Sequence, residues 1–208
     1  LLCSPLCKCI TSPTIKKILL TLYKQLLMST YNFIEQYTIP HNICDFFIKY
    51  HKNNKEYKRQ GLVEDGVIKK DVKDSLDVYF FNENMDPMIQ KFFSLLSKAV
   101  ASYMAKYSIK HTMRTHTLNS IQYYKKKGGY FKLHYERADL QSTNRQLVYM
   151  LYCNTLKNGG TEFPFQNRIL KAVKGTLFIW PSDFTHPHKG VISDEEEKYI
   201  VTGWFNII

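Results

Sequence analysis

The spacing of apolar positions changes once along this chain, near residue 116. Before that point apolar residues recur every three or four positions. Over 13–28 (PTIKKILLTLYKQLLM), with Pro13 near the start, this spacing predicts a short amphipathic helix. Residues 40–54 predict a second helix, with Ile43, Phe46, Phe47 and Tyr50 on one side. Residues 55–73 are polar and basic, contain Gly61 and Gly66, and read as loop; 75–81 (SLDVYFF) reads as a strand. The clearest helix covers 86–107. Asp86 is a good N-cap and Pro87 suits the first helical position. Met88, Phe92, Leu95, Leu96, Val100, Tyr103 and Met104 form its apolar stripe, which reads as core.

After residue 116 the period becomes two. Short aromatic or β-branched runs at 117–125, 129–135, 146–154, 161–165, 168–173, 175–180, 185–192 and 197–207 alternate with Gly, Pro and Asn breaks. Short strands at this spacing predict a double-sheet jelly roll or a barrel. The expected class is α+β: an N-terminal extension, 1–30, predicted helical, then one domain over 31–208 whose jelly-roll core is about 117–208. No internal repeat is present.

Composition narrows the picture without changing it. The 208 residues suffice for one domain with a proper core, and 44% hydrophobic with 14% aromatic content excludes a disordered chain. The 15 Tyr and 13 Phe favour strands. A net charge of +11 invites an anionic partner, whether nucleic acid, an acidic protein or a small dicarboxylate. The lysines are spread along the chain rather than gathered in one run, which favours a solvated basic surface. Cys3, Cys7 and Cys9 form C-x3-C-x-C with no partner cluster nearby, a weak zinc signature. The odd cysteine count, with Cys44 and Cys153 unpaired, points to a reducing compartment and a cytoplasmic location. No run of about 18 apolar residues predicts a membrane span, and the opening segment lacks the pattern of a signal peptide.

Chemistry enters with GGYFKLHYE, residues 128–136. In a strand His134 and Glu136 share a face, and an imidazole beside a carboxylate can occupy adjacent positions on a metal. A histidine from a neighbouring strand would complete a facial triad with positions left open for small molecules. Alone, H-x-E is weak. Residues 174–190 (KGTLFIWPSDFTHPHKG) supply a strand that leads into His186 and His188. These two share a face by parity, so alternation does not choose between them. Ten residues after His188, Lys198 opens the alternating strand KYIVTGWF, after a polar hairpin at Ser193–Glu197. A lysine pointing into an aromatic barrel is costly without an anionic partner. His41, His51, His111 and His116 read as surface or packing residues.

In order, IQYYKKKGGYFKLHYE, NRQLVYMLYCN, NGGTEF, VKGTLFIWPSDFTHPHKG and KYIVTGWF resemble the prolyl 4-hydroxylase-like branch of the 2-oxoglutarate/iron(II) dioxygenases. The resemblance covers residues 117–208. It implies a double-stranded β-helix with N-terminal supporting helices. It implies His134, Glu136 and His188 as metal ligands, since only His188 has the family's ten-residue step to Lys198, the cosubstrate anchor. His186 then becomes a supporting or substrate-side group. Tyr124 and Thr161 are implied as cosubstrate contacts, and Arg145 and Trp204 as catalytic or supporting residues. The chain departs from the family twice. Glu136 stands where most members have Asp, and one extra residue between the tyrosine and the glycine pair leaves Tyr123 or Tyr124 facing the cosubstrate, with Tyr124 preferred.

The implied cofactors are Fe(II) and 2-oxoglutarate, with ascorbate as an accessory candidate. The implied reaction is hydroxylation of a C–H bond with decarboxylation of 2-oxoglutarate to succinate. A protein, peptide or small-molecule substrate is expected, with peptidyl-proline first among them. Two alternatives stand beside this. A nucleic-acid oxygenase of the same superfamily suits the charge, but Lys198 stands where those enzymes carry arginine. A non-catalytic jelly-roll binding module would need a broken triad, and here all four positions are filled.

Overall fold

Two α-helices and two antiparallel sheets build the described residues from 34 onward. The computed structural model describes residues 31–63 and 66–208, together with Pro13, Lys17 and Ile18, which are helical. The rest of the helix expected over 13–28, and Cys3, Cys7 and Cys9, lie outside the described residues. The chain divides into two units, Leu1–Phe33 and Ile34–Ile208. In the second unit β1 (Glu35–Thr38) precedes α1 (His41–Asn53). Next come β2 (Arg59–Gln60), β3 (Leu76–Phe81), α2 (Pro87–Lys106), β4 (Met113–Thr115) and β5 (Leu118–Tyr124). The remaining strands are β6 (Arg145–Tyr152), β7 (Gly160–Phe163), β8 (Arg168–Lys171), β9 (Thr176–Pro181), β10 (Lys189–Val191) and β11 (Lys198–Ile207).

The large sheet runs β1-β9-β6-β11-β5-β3-β2, with β4 also on β11; the small sheet runs β10-β7-β8. Side-chain alternation explains how the layers stack. On β6, Leu147, Tyr149 and Leu151 join a core with Ile43 and Phe47 of α1 and Phe92 and Leu96 of α2. The intervening Val148, Met150 and Tyr152 join a second core with Phe163 and Leu170 of the small sheet. On β9, Leu177 and Ile179 face the helices, whereas Phe178 and Trp180 face the small sheet. The large sheet is thus covered on both faces, which is the double-sheet jelly-roll arrangement with supporting helices. Burial on both faces is also why its strands read as nearly continuous apolar runs.

Both helices form where the period places them. Asp86 caps α2 by accepting a 2.8 Å hydrogen bond from the Met88 N–H, with Pro87 at the first helical position. Its buried face is Ile89, Phe92, Leu96, Ala99 and Tyr103, so the stripe is rotated from the expected one: Met88 and Met104 lie at its edge, and Ile89 and Ala99 are central. On α1, Ile43 and Phe47 are buried as expected, together with Cys44 and His51. The loop expected at 55–73 contains the two-residue β2, and β1 and β4 were not anticipated, because strands of two to four residues are too short to show a period.

The glycine at the start of β7 is needed for close packing. Gly160 has φ +142°, and a Cβ there would lie 2.1 Å from the Leu170 carbonyl oxygen on β8. Among the described residues no helix is long and apolar enough to cross a membrane. Phe92 joins the helices to the large sheet. It is fully buried and packs edge-on to Phe47 at 5.1 Å and against Tyr149 at 6.0 Å. Phe92→Ala is expected to cost about 3–5 kcal/mol in chemical denaturation through lost burial and a residual cavity; a cost near zero would show that α2 does not carry the core.

Candidate active site

The even-numbered face of β11 is the floor of the site. Lys198, Ile200, Thr202 and Trp204 line a cavity of about 410 Å³, while Tyr199, Val201 and Phe205 belong to the helix-side core. The same parity on β5 puts Tyr124 in the cavity wall and Tyr123 outside it, where its hydroxyl donates to Glu197 at 2.7 Å. Strand register thus places Tyr124, and not Tyr123, in the cavity, with Lys198 directly opposite Tyr124.

His134, Glu136 and His188 converge in this cavity. Their ligating atoms all lie within 4.8 Å of one another. Glu136 Oε1 is 3.6 Å from Nε2 of each histidine. The local backbone differs from expectation. Residues 129–135 form no continuous strand: Tyr130 bridges Lys73, and His134 makes an isolated antiparallel bridge with His188. That bridge has two backbone hydrogen bonds, 3.0 Å from the His134 N–H and 2.8 Å from the His188 N–H. Gly129 lets this segment pass close to Ile192, since a Cβ there would lie 2.2 Å from Ile192 Cδ1. Glu136 is anchored in turn by its N–H donating to the Ser182 carbonyl at 3.0 Å.

Hydrogen bonding fixes the tautomers. His134 Nδ1 lies 3.1 Å from the Lys132 carbonyl, and His188 Nδ1 lies 3.0 Å from the His186 carbonyl. A carbonyl only accepts, so each Nδ1 carries the hydrogen and each neutral ring presents a lone pair at Nε2. Three acceptor atoms then face one point, which suits a cation. Two imidazoles and one carboxylate are the donor set of non-haem iron(II), and the residues fit that ion. Burial lowers the His134 pKa, and the neighbouring His188 lowers it further. Burial alone would raise Glu136, but its contacts with His134 and His188 hold it well below the usual carboxylate range.

His186 is placed elsewhere. It sits in a bend rather than a strand, its N–H donates to the Asp183 carbonyl at 2.8 Å, and its Nδ1 meets the Thr185 hydroxyl at 2.9 Å. The run expected as a strand at 185–192 is reduced to Lys189–Val191, so parity had no bearing on the two histidines. Nor is Ser193–Glu197 a hairpin turn. β10 pairs with β7 in the small sheet and β11 lies in the large one, so the segment crosses between sheets.

Lys198 is 6% exposed and has no hydrogen-bond or ion-pair partner among the described residues; its ammonium lies 4.6 Å from the centre of the Tyr124 ring. Burial pushes its pKa down to about 8. Burial pushes the Tyr124 hydroxyl well above its ordinary range, so it stays a donor, here to Gln122 Oε1 at 2.6 Å. Thr161 lines the same cavity and its hydroxyl meets Tyr152 at 2.7 Å. Arg145 donates to the Glu136 carbonyl at 2.9 Å and lies 3.9 Å over the Trp204 ring. All nine residues expected in the site are accounted for, and every one but His186 lines the cavity.

Several neighbours escaped sequence reading. Tyr130 stacks on His134 with centroids 3.5 Å apart. Trp180 stands edge-on to His188 at 5.2 Å and lines the cavity, and its buried indole N–H has no hydrogen-bond partner among the described residues. His116, expected to be a surface or packing residue, lines the cavity edge-on to Trp204. Lys73 and Asp77 form a buried 2.9 Å ion pair in the wall. A lone aromatic or charge carries no period of its own, whether in a loop or on a strand buried on both faces, so only the fold assembles them.

This fold and donor set suit a 2-oxoglutarate- and Fe(II)-dependent oxygenase. Residues 119–206 match the family model described as the 2OG-Fe(II) oxygenase superfamily, so this part of the chain is an oxygenase domain of that class, with Fe(II), 2-oxoglutarate and dioxygen as its cofactor and cosubstrates. No curated protein matches it by sequence. Among solved structures it is similar to a viral collagen prolyl hydroxylase from Paramecium bursaria Chlorella virus-1, solved with 2OG, at TM-score 0.66 and 19% identity over 85% of this chain and 97% of that one. It is also similar to a prolyl hydroxylase from Trichoplax adhaerens, in complex with a hypoxia inducible factor peptide fragment, at TM-score 0.68 and 14% identity over 85% and 84%. A Pseudomonas putida prolyl-4-hydroxylase gives TM-score 0.65 and 12% identity over 85% and 93%. At these identities the likeness concerns the fold.

Proposed function

We propose that this chain hydroxylates a C–H bond of a peptidyl substrate, with proline as the residue modified. We assign His134, Glu136 and His188 as the iron ligands. The observation that carries the assignment is the convergence of their three acceptor atoms in one cavity with the unpartnered ammonium of Lys198. Lys198, with the Tyr124 hydroxyl and Thr161 beside it, receives the distal carboxylate of 2-oxoglutarate. Iron(II), when bound, supplies the oxidising chemistry; the residues bind, orient and exclude water. The His134 and His188 rings are held by backbone carbonyls, so they need no rearrangement to ligate. Trp180, Phe163 and Tyr130 wrap the two imidazoles in aromatic surface. The peptidyl-proline reading draws on the structural neighbours, of which one holds a peptide.

The oxygenase domain in this reading is 31–208, with 1–30 as an extension. A reducing, cytoplasmic setting belongs to it too, supported by Cys44 and Cys153, which are both buried and free of disulfides. The test is incubation with Fe(II), 2-oxoglutarate and a panel of proline-rich peptides, read by mass spectrometry. A gain of one oxygen on proline, stoichiometric with succinate, is expected. Succinate formation with oxygen only on another residue or on a free small molecule would replace the substrate. No succinate with any substrate would remove the catalytic reading.

A further inference from the structure

We propose that Trp204 is a positioning residue that holds Glu136 to one-oxygen coordination of the metal. The proposal deepens the oxygenase reading of this site and rests on it. The two oxygens of Glu136 have different surroundings. Oε1 faces both imidazole nitrogens at 3.6 Å. Oε2 accepts a 3.0 Å hydrogen bond from the Trp204 indole N–H and lies 3.9 Å from Arg145 Nη1. An indole N–H donates and never accepts, so its only service here is to occupy Oε2 and leave Oε1 to the metal.

Glutamate needs such a stop more than aspartate would. Its extra methylene adds a rotatable bond, and a free carboxylate on the longer arm can swing aside or chelate through both oxygens. Chelation would consume one of the positions that a facial triad leaves open.

Trp204 is itself firmly held. On β11 it lies opposite Val148 of β6. Its carbonyl accepts from the His116 N–H at 2.7 Å, and the His116 ring meets it edge-on at 5.8 Å. The Arg145 guanidinium covers the other part of the ring at 3.9 Å while donating to the Glu136 carbonyl at 2.9 Å. Arg145 thus ties the main chain of Glu136 and the ring of Trp204 together, and Trp204 fixes the carboxylate.

The experiment is anaerobic Co(II) binding, followed by calorimetry and by the visible absorption of the bound ion, whose intensity reports coordination number. The variants are Trp204→Phe, a site-specific 3-benzothienylalanine at position 204 that keeps the ring shape and removes only the N–H, Glu136→Asp, and Glu136→Asp with Trp204→Phe. Loss of an outer hydrogen bond to a ligand typically weakens metal binding about 10–100-fold. Trp204→Phe and the benzothienyl variant are both expected to show that loss, with a Co(II) spectrum moved toward higher coordination. In the Glu136→Asp background, where the shorter arm withdraws the carboxylate from Trp204, Trp204→Phe is expected to add little. Unchanged affinity and spectrum in the benzothienyl variant, or an equal loss from Trp204→Phe in both backgrounds, would overturn the proposal. Wild-type protein that takes up no metal would remove the oxygenase reading and this one with it; wild-type uptake with indifferent Trp204 variants removes this one alone. Should Trp204→Phe unfold, the isosteric variant still decides.

Discussion

His188→Ala is expected to leave the purified protein without iron and without 2-oxoglutarate decarboxylation, whereas His186→Ala keeps both at a measurable level. The contrast follows from where the two rings sit. His188 Nε2 faces Glu136 Oε1 at 3.6 Å, beside His134, and its Nδ1 is held by a backbone carbonyl. A facial triad without one of its two imidazoles retains only two protein ligands. The His186 ring instead meets the Thr185 hydroxyl. What His186 gives to the metal centre is its carbonyl oxygen, the acceptor for His188 Nδ1, and that survives replacement by alanine. The His186 variant should therefore lose no more than the ~10–100-fold typical of groups that support a ligand. Iron content after purification and succinate formation, measured on both variants side by side, check this. An iron-free His186 variant beside an active His188 variant would reverse the assignment and remove the spacing argument that also selects Lys198.

The two histidines also show how far the sequence can be read. Long elements declared themselves: α2 with its Asp86 cap, and β5, β6, β9 and β11, whose runs matched observed strands to within two residues. The clustering of His134, Glu136 and His188 was legible because they fall inside an ordered set of short motifs within residues 117–208. The path between them was not. His134 and Glu136 lie on no regular strand, and the expected strand at 185–192 is mostly bend and turn. Their geometry comes from single backbone bridges, His134 with His188 and Tyr130 with Lys73, that join residues more than fifty positions apart and leave no local period. The same reason hid Trp180, whose strand is apolar on both faces, so alternation could not say which side chains reach the metal side. Tyr124 is the opposite case. Its strand pairs in register with β11, and the parity of β5 puts Tyr124, rather than the adjacent Tyr123, in the cavity beside Lys198.

Lys198→Ala is expected to raise the 2-oxoglutarate requirement by the largest factor of any substitution that spares the metal ligands. The ammonium is nearly fully buried, and no carboxylate or other partner among the described residues neutralises it. Removing one member of a buried charge pair typically costs about 3–5 kcal/mol, which corresponds to a rise in Kd of roughly 10²-fold to several thousand-fold. Calorimetric titration of 2-oxoglutarate into the Mn(II)-loaded protein reads this without turnover, and an unchanged Kd would reject the anchor. The pH dependence has a definite sign. Burial lowers this lysine from an ordinary 10.5 to about 8, so it is charged below that pH and neutral above it. A bound dicarboxylate favours the charged form and raises the pKa of the complex. Affinity should therefore be flat below about 8 and fall by up to about tenfold per pH unit above it, until the pKa of the complex is reached. Stability of the cosubstrate-free protein moves the other way. Between about 8 and 10.5 the unfolded chain binds more protons at this site than the folded one, so the group makes the fold more stable as pH rises through that window. In Lys198→Ala both trends should vanish together. Their persistence would assign the titration to another group and leave Lys198 without a role in cosubstrate binding.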